Sequence, residues 1–69
     1  MASVVPYDLL TPREVAEVMR VSTMTVYRLI KAGQLPAIRV GTHFRIRESD
    51  LSGYLDAQTV HGGGRWPAA

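Results

Sequence analysis

The sequence contains no cysteine. Disulfides and thiolate–metal sites are therefore excluded, and a reducing compartment is the natural expectation. No apolar run approaches the roughly 18 residues that a membrane-spanning helix requires. The opening residues, Met1-Ala2-Ser3-Val4-Val5-Pro6, lack a basic region ahead of an apolar stretch, so no signal peptide is expected. These shortages predict a cytoplasmic protein with no membrane partner. There is no Gly-rich phosphate loop and no nucleophile elbow. The two histidines, His43 and His61, are isolated from any carboxylate cluster, so neither a metal site nor another cofactor site is predicted. Glu14 and Glu17 lie three apart on one predicted helix, but a capping role accounts for Glu14. A chain of 69 residues forms one small domain, with little stability to spare for a strained or buried catalytic site. No enzymatic activity is expected.

Acid is missing where it matters most. Between Val18 and Arg47 there are six basic side chains, Arg20, Arg28, Lys31, Arg39, Arg45 and Arg47, and not one Asp or Glu. All six acids lie outside that stretch, opposed there only by Arg13 and Arg65. The net charge of +2 thus conceals a positive middle between acidic or neutral ends. Such a field attracts polyanions, and it repels itself unless something neutralises it.

Local signals divide the chain into elements. Thr11 is a good N-cap, Pro12 suits the first helical position, and Glu14 completes a T-x-x-E capping box. Leu10 stands where a hydrophobic staple would face Val15. Val15, Ala16 and Met19, with Val18 at the margin, form an apolar stripe, and this helix is expected to end near Met19 or Arg20. Ser22 starts a second helix, over about 22–32, whose apolar residues are Val26, Leu29 and Ile30. Lys31 lies in its last turn, and Gly33 supplies a left-handed stop. Two helices this close must cross sharply, as in a helix-turn-helix. Thr23, Met24, Tyr27, Arg28 and Lys31 are left pointing away from the core, a polar, basic and aromatic face suited to a DNA groove.

A hairpin follows, in Leu35–Val40 and Phe44–Arg47. If Ile38, Val40, Phe44 and Ile46 all face the core, Val40 opposes Phe44, Ile38 opposes Ile46, and the loop is the three residues Gly41-Thr42-His43. That register sets Arg39 directly opposite Arg45, a destabilising like-charge pair that an anion would relieve. A last helix over about Glu48–Asp56 turns Leu51, Tyr54 and Leu55 inward, with Gly53 a weak point inside it. The expected fold is mainly α with a small β-hairpin, a winged helix-turn-helix ordered helix, helix, strand, strand, helix. Residues 1–8 are expected to be a flexible start, 9–57 the domain, and 58–69 a flexible tail carrying Trp66.

The residues themselves resemble a known group. Leu10-Thr11-Pro12-Arg13-Glu14-Val15-Ala16, the run from Val21 to Ala37, Arg39-Val40-Gly41 and Phe44-Arg45-Ile46 are similar to the MerR-like excisionase family, including small single-domain actinobacterial regulators of the BldC type. The similarity spans roughly Leu9 to Leu55. It implies that the second helix enters the major groove of double-stranded DNA and that the hairpin is a wing on the backbone or minor groove. Thr23, Met24, Thr25, Tyr27 and Arg28 then lie on the reading helix, and Thr42, His43 and Arg45 on the wing. The chain departs from the pattern at three places. Met19-Arg20-Val21 fills a turn that often holds Gly, so Arg20 is expected in a left-handed conformation at a cost of about 1 kcal/mol. Thr23 replaces a residue that is often basic, and Arg47 stands where Ser or Pro is common.

Each candidate has a specific role. Arg28 is the first choice for bidentate pairing with guanine. Tyr27 either contacts the backbone or lies half-buried against the wing. Ser22 and Thr25 help hold a phosphate at the helix start, and Ser22 also caps it. Arg39, Arg45 and Arg47 are assigned to phosphates, giving salt-dependent affinity rather than sequence choice. His43 either enters the minor groove or remains an exposed loop side chain. Arg13 is placed to reach the backbone, and Lys31 to do the same or to oppose its helix dipole.

The function implied is a small bacterial transcription regulator on the nucleoid, without a sensor domain. The alternative is an excisionase that binds and bends attachment-site DNA beside an integrase, and a third reading is a protein-binding adaptor on the same fold. A module of this size covers little DNA, so cooperative head-to-tail self-association or a partner protein is expected.

Overall fold

A computed structural model of the chain describes residues 8–60. The elements are β1 (Leu9–Leu10), α1 (Pro12–Met19), α2 (Thr23–Lys31), β2 (Ile38–Val40), β3 (His43–Arg47) and α3 (Glu48–Gln58). The expected flexible start and tail, with Arg65 and Trp66, lie almost wholly outside the described residues.

The helix pair forms as its local signals require. Thr11 Oγ1 accepts from the Glu14 N–H at 3.0 Å, and the Glu14 carboxylate accepts from the Thr11 N–H at 2.9 Å. Both arms of the capping box are therefore made. α1 stops where Arg20 turns left-handed, at φ 60° and ψ 44°. The Val21 N–H then reaches the Ala16 carbonyl at 3.0 Å, and that of Arg20 the Glu17 carbonyl at 3.3 Å, the paired bonds of a Schellman stop. α2 starts on Ser22, whose Oγ accepts from the Thr25 N–H at 3.1 Å. It ends on the same stop, now around Gly33 at φ 78°, with Gln34 N–H on Leu29 O and Gly33 N–H on Ile30 O, both at 3.0 Å.

The expected order of elements needs one correction, because a strand precedes the helices. β1 pairs antiparallel with β3, Leu9 opposite Arg47 and Leu10 opposite Ile46, giving a three-stranded sheet ordered β1-β3-β2. Leu10, expected as a staple, is a strand residue on the Ile46 face. The same connection tethers α3, since the Glu48 N–H donates to the Asp8 carbonyl at 2.9 Å. That bond satisfies one of the free donors at the helix start. Arg47, in the cap position, supplies no side-chain cap.

A second correction concerns the hairpin. Val40 pairs with His43, Arg39 with Phe44 and Ile38 with Arg45, so the loop is the two residues Gly41-Thr42. Only Gly41, at φ 64°, takes a positive φ in that loop, the pattern of a type II′ turn. A shift of one residue reverses every side chain of a strand. Ile38 and Val40 therefore share the face of Arg45 and His43, and Arg39 shares the face of Phe44 and Ile46. The predicted pairing of Arg39 with Arg45 does not occur.

The core consists of Val15 and Ala16 from α1, Val26 from α2, Leu35 from the loop after it, Ile46 from β3 and Leu51 from α3. Leu10, Met19, Leu29, Ile30, Ala37 and Tyr54 pack around it. Leu55, expected inward, is exposed on an α3 that runs to Gln58 rather than Asp56. Val40 is 52% exposed, as the corrected register requires. Among the described residues no helix is long and apolar enough to cross a membrane.

Candidate nucleic-acid interface

α2 is held by its caps and by the buried Val26, which fixes its opposite side toward solvent. Met24, Tyr27, Arg28 and Lys31 are exposed there, with Thr23 half-exposed beside them. Ser22 and Thr25 are linked side chain to side chain at 3.0 Å, both at the helix start. Their hydroxyls thus lie beside the open backbone N–H groups that favour an anion.

Tyr27 joins this helix to the wing. Its ring meets the Phe44 ring edge-on at 6.2 Å between centroids, and it remains 39% exposed. Arg39 lies over the same ring, its guanidinium carbon 5.8 Å from the centroid, in cation–π range. Its Nε also donates to the Gly41 carbonyl at 3.4 Å. Tyr27, Phe44 and Arg39 therefore form one continuous surface from α2 to the wing. Phe44 was assigned to the core by its alternation with Ile46. Its second role, as a platform for Arg39, depended on a register that the alternation alone placed one residue away.

The other face of the wing carries His43, Arg45 and Arg47 with Ile38 and Val40. Arg45 is half-buried, and its Nη1 donates to the Phe44 carbonyl at 2.7 Å. Arg47 Nη1 pairs with Asp50 at 3.1 Å, so part of its charge is already answered within the chain. Thr42 and His43 are exposed at the tip. Arg13 pairs loosely with Glu17, at 4.0 Å between highly exposed groups, a contact worth little in water. Among the described residues Arg20, Arg28, Lys31, Arg39 and Arg45 form no salt bridge.

The sequence-predicted residues thus fall into two groups. Ser22, Thr23, Met24, Thr25, Tyr27, Arg28, Lys31 and Arg39 lie along the α2 side, with Arg39 moved there by the register. Thr42, His43, Arg45 and Arg47 belong to the tip and far face of the wing. Arg13 sits at the start of α1.

A family model described as a helix-turn-helix domain matches residues 9–59. The Mycobacterium tuberculosis (strain H37Rv) protein named "Putative DNA-binding protein Rv0500A" is 49% identical over 56 residues, covering 81% of this chain and 72% of that one. The Bacillus subtilis protein YvgK is 54% identical over 44 residues, which are 64% of this chain and 14% of the longer protein. Rv2310 of the same M. tuberculosis strain is 41% identical over 49 residues, 71% of this chain and 43% of that one.

Proposed function

The chain belongs to the helix-turn-helix domain family, and on that footing we propose that it binds double-stranded DNA sequence-specifically as a small transcription regulator. The observation that carries this is the exposed face of α2. Its cations, Arg28 and Lys31, have no acidic partner among the described residues, and the helix itself contains no Asp or Glu. A helix about 10–12 Å wide fits the major groove, and α2 is the second helix of the pair, the one such motifs insert. The relative named as DNA-binding supports the same reading. The residue pattern favours the MerR-like, BldC-type branch of excisionase-like proteins, working on the bacterial nucleoid.

In this arrangement Arg28 pairs with guanine, and Ser22 and Thr25 hold a phosphate at the helix start. Lys31, Tyr27 and Arg39 follow one strand of backbone. Thr42, His43 and Arg45 lie against the neighbouring groove, with Arg47 and Arg13 at the margins. One such module covers few base pairs, so copies bind side by side and cooperatively.

The test is fluorescence anisotropy on duplexes selected from a random pool. Affinity falls steeply as salt rises, and Arg28→Ala combined with Arg45→Ala weakens binding at least tenfold, about 1.4 kcal/mol. Unchanged affinity in the double variant would remove DNA as the ligand of α2 and the wing. Gel shifts on longer fragments show ladders if binding is cooperative, and a single one-to-one band overturns the side-by-side arrangement.

A further inference from the structure

Along α2 most side chains already have a task. Val26 is buried, Leu29 and Ile30 pack on the core, Ser22 and Thr25 bond each other, and Tyr27 rests on Phe44. Met24, Arg28 and Lys31 remain exposed. Met24 is 59% exposed, the most exposed large apolar side chain among the described residues. It contributes little to the fold there, and it stands at the second residue of the helix, the end that a helix-turn-helix presents to base edges.

The helix sequence, Thr-Met-Thr-Val-Tyr-Arg-Leu-Ile-Lys, contains no Asn, Gln, Asp or Glu. In the major groove, adenine is read by Asn or Gln and the cytosine amino group by Asp or Glu. Guanine is read by Arg or Lys, and thymine by an apolar group against its C5 methyl. The amide and carboxylate groups are absent from α2, leaving only a hydroxyl such as that of the half-exposed Thr23 for those bases. Guanine reading is present in Arg28 and Lys31, and an exposed apolar side chain in Met24. Arg28 and Met24 stand one helical turn apart, about 6 Å along the axis, equivalent to one or two base-pair steps of about 3.4 Å.

Resting on the DNA-binding reading, we infer that Met24 packs on the C5 methyl of a thymine one or two base pairs from the guanine held by Arg28. This methyl contact is the second specificity element of the helix. The thioether is flexible and polarisable, which suits it to a shallow apolar target.

The experiment uses the best duplex from the random pool. Each thymine is replaced in turn by deoxyuridine, which removes only the methyl, and affinity is measured by anisotropy for the wild type, Met24→Ala and Met24→Leu. At one thymine, loss of the methyl weakens wild-type binding about fourfold. Met24→Ala binds the thymine and uracil duplexes alike, and Met24→Leu keeps most of the difference. Thermal melts of both variants match the wild type because the position is exposed. Salt-dependent binding with no methyl-sensitive thymine, or a methyl effect that persists in Met24→Ala, overturns this inference and leaves the DNA-binding reading standing. Absence of salt-dependent binding to any duplex overturns both.

Discussion

On α2, Arg28 and Lys31 stand in solvent with no acid among the described residues to hold them. On the wing each arginine leans on something: Arg39 on the Phe44 ring, Arg45 on the Phe44 carbonyl, Arg47 on Asp50. In the proposed complex the helix cations are free to adapt to base edges. Those of the wing are positioned in advance, so less side-chain entropy would be lost if, as proposed, they meet a backbone whose geometry varies little. Arg45 spends one N–H on Phe44 and keeps the rest of its five donors. The two halves also differ in how they are built. The helix pair rests on a capping box, a serine N-cap and paired stop bonds close in sequence, whereas the wing depends on Phe44, Ile46 and the two-residue turn. The two elements thus carry the same sign of charge with different freedom, as the proposed division between base reading on α2 and phosphate holding on the wing requires.

Removing the wing's support breaks the comparison most severely. Phe44→Ala takes away the ring under Arg39 and beside Tyr27 and part of the wing's packing. Complete burial would make such a truncation cost about 3–5 kcal/mol; at this half-buried position the expected loss is about 2 kcal/mol, read from denaturant melts. DNA affinity falls with it as Arg39 loses its position. An unchanged melt would mean that the ring is not what holds the wing.

The halves separate more finely in binding. Arg28→Ala is expected to cost about 1–3 kcal/mol on the preferred duplex and to relax choice at one base pair, whereas Arg45→Ala weakens all duplexes evenly and lowers the salt slope by about 1. Competition with scrambled duplexes at several salt concentrations distinguishes the two. Equal loss of preference in both variants would erase the division of labour.

The same contrast governed what the sequence revealed. Both ends of α1 and α2 were readable because caps and stops involve residues three to five apart, and even the left-handed Arg20 followed from the missing Gly. The hairpin was readable too, but its register was not, because Ile38 and Val40 look like core residues. The register goes with one non-local feature, Ile46 buried among the helices, and two local ones that alternation does not show, Arg39 stacked on Phe44 and Gly41 at the turn's first central position. β1 was invisible, since two residues show no alternation. On α3, Leu55 had the right spacing but lies outside the core cluster, 38% exposed. The basic face of α2 was legible from the absence of acid and from helical period. The joining of Tyr27, Phe44 and Arg39 was not, as it depended on the register.

α3, the element that follows the wing, offers a smaller effect. Gly53 lies inside it, and a Cβ built there meets nothing within 4 Å. Gly53→Ala should raise stability by about 0.8 kcal/mol, the helix-propensity difference, with DNA affinity unchanged. A destabilised variant would mean that the α3 surface at Gly53 is occupied.

The smallest expected change tests the helix half at its one backbone exception. Arg20 and Gly33 occupy equivalent places in two matching stops, at φ 60° and φ 78°. For Arg20 the left-handed conformation costs about 1–2 kcal/mol. Glycine removes that strain but returns about 0.4–1 kcal/mol of freedom to the unfolded chain. Arg20→Gly should therefore gain only about 0.5 kcal/mol net, the remainder of two opposing effects. Arg20→Ala is the control for both, since alanine keeps the Cβ and removes only the charge and the stem. Its melt should match the wild type, so a gain seen with glycine and not with alanine assigns the strain to the backbone. A gain in both would place it in the exposed guanidinium, repelled by the other cations of the acid-free stretch, and would show up as a stability difference that shrinks with salt.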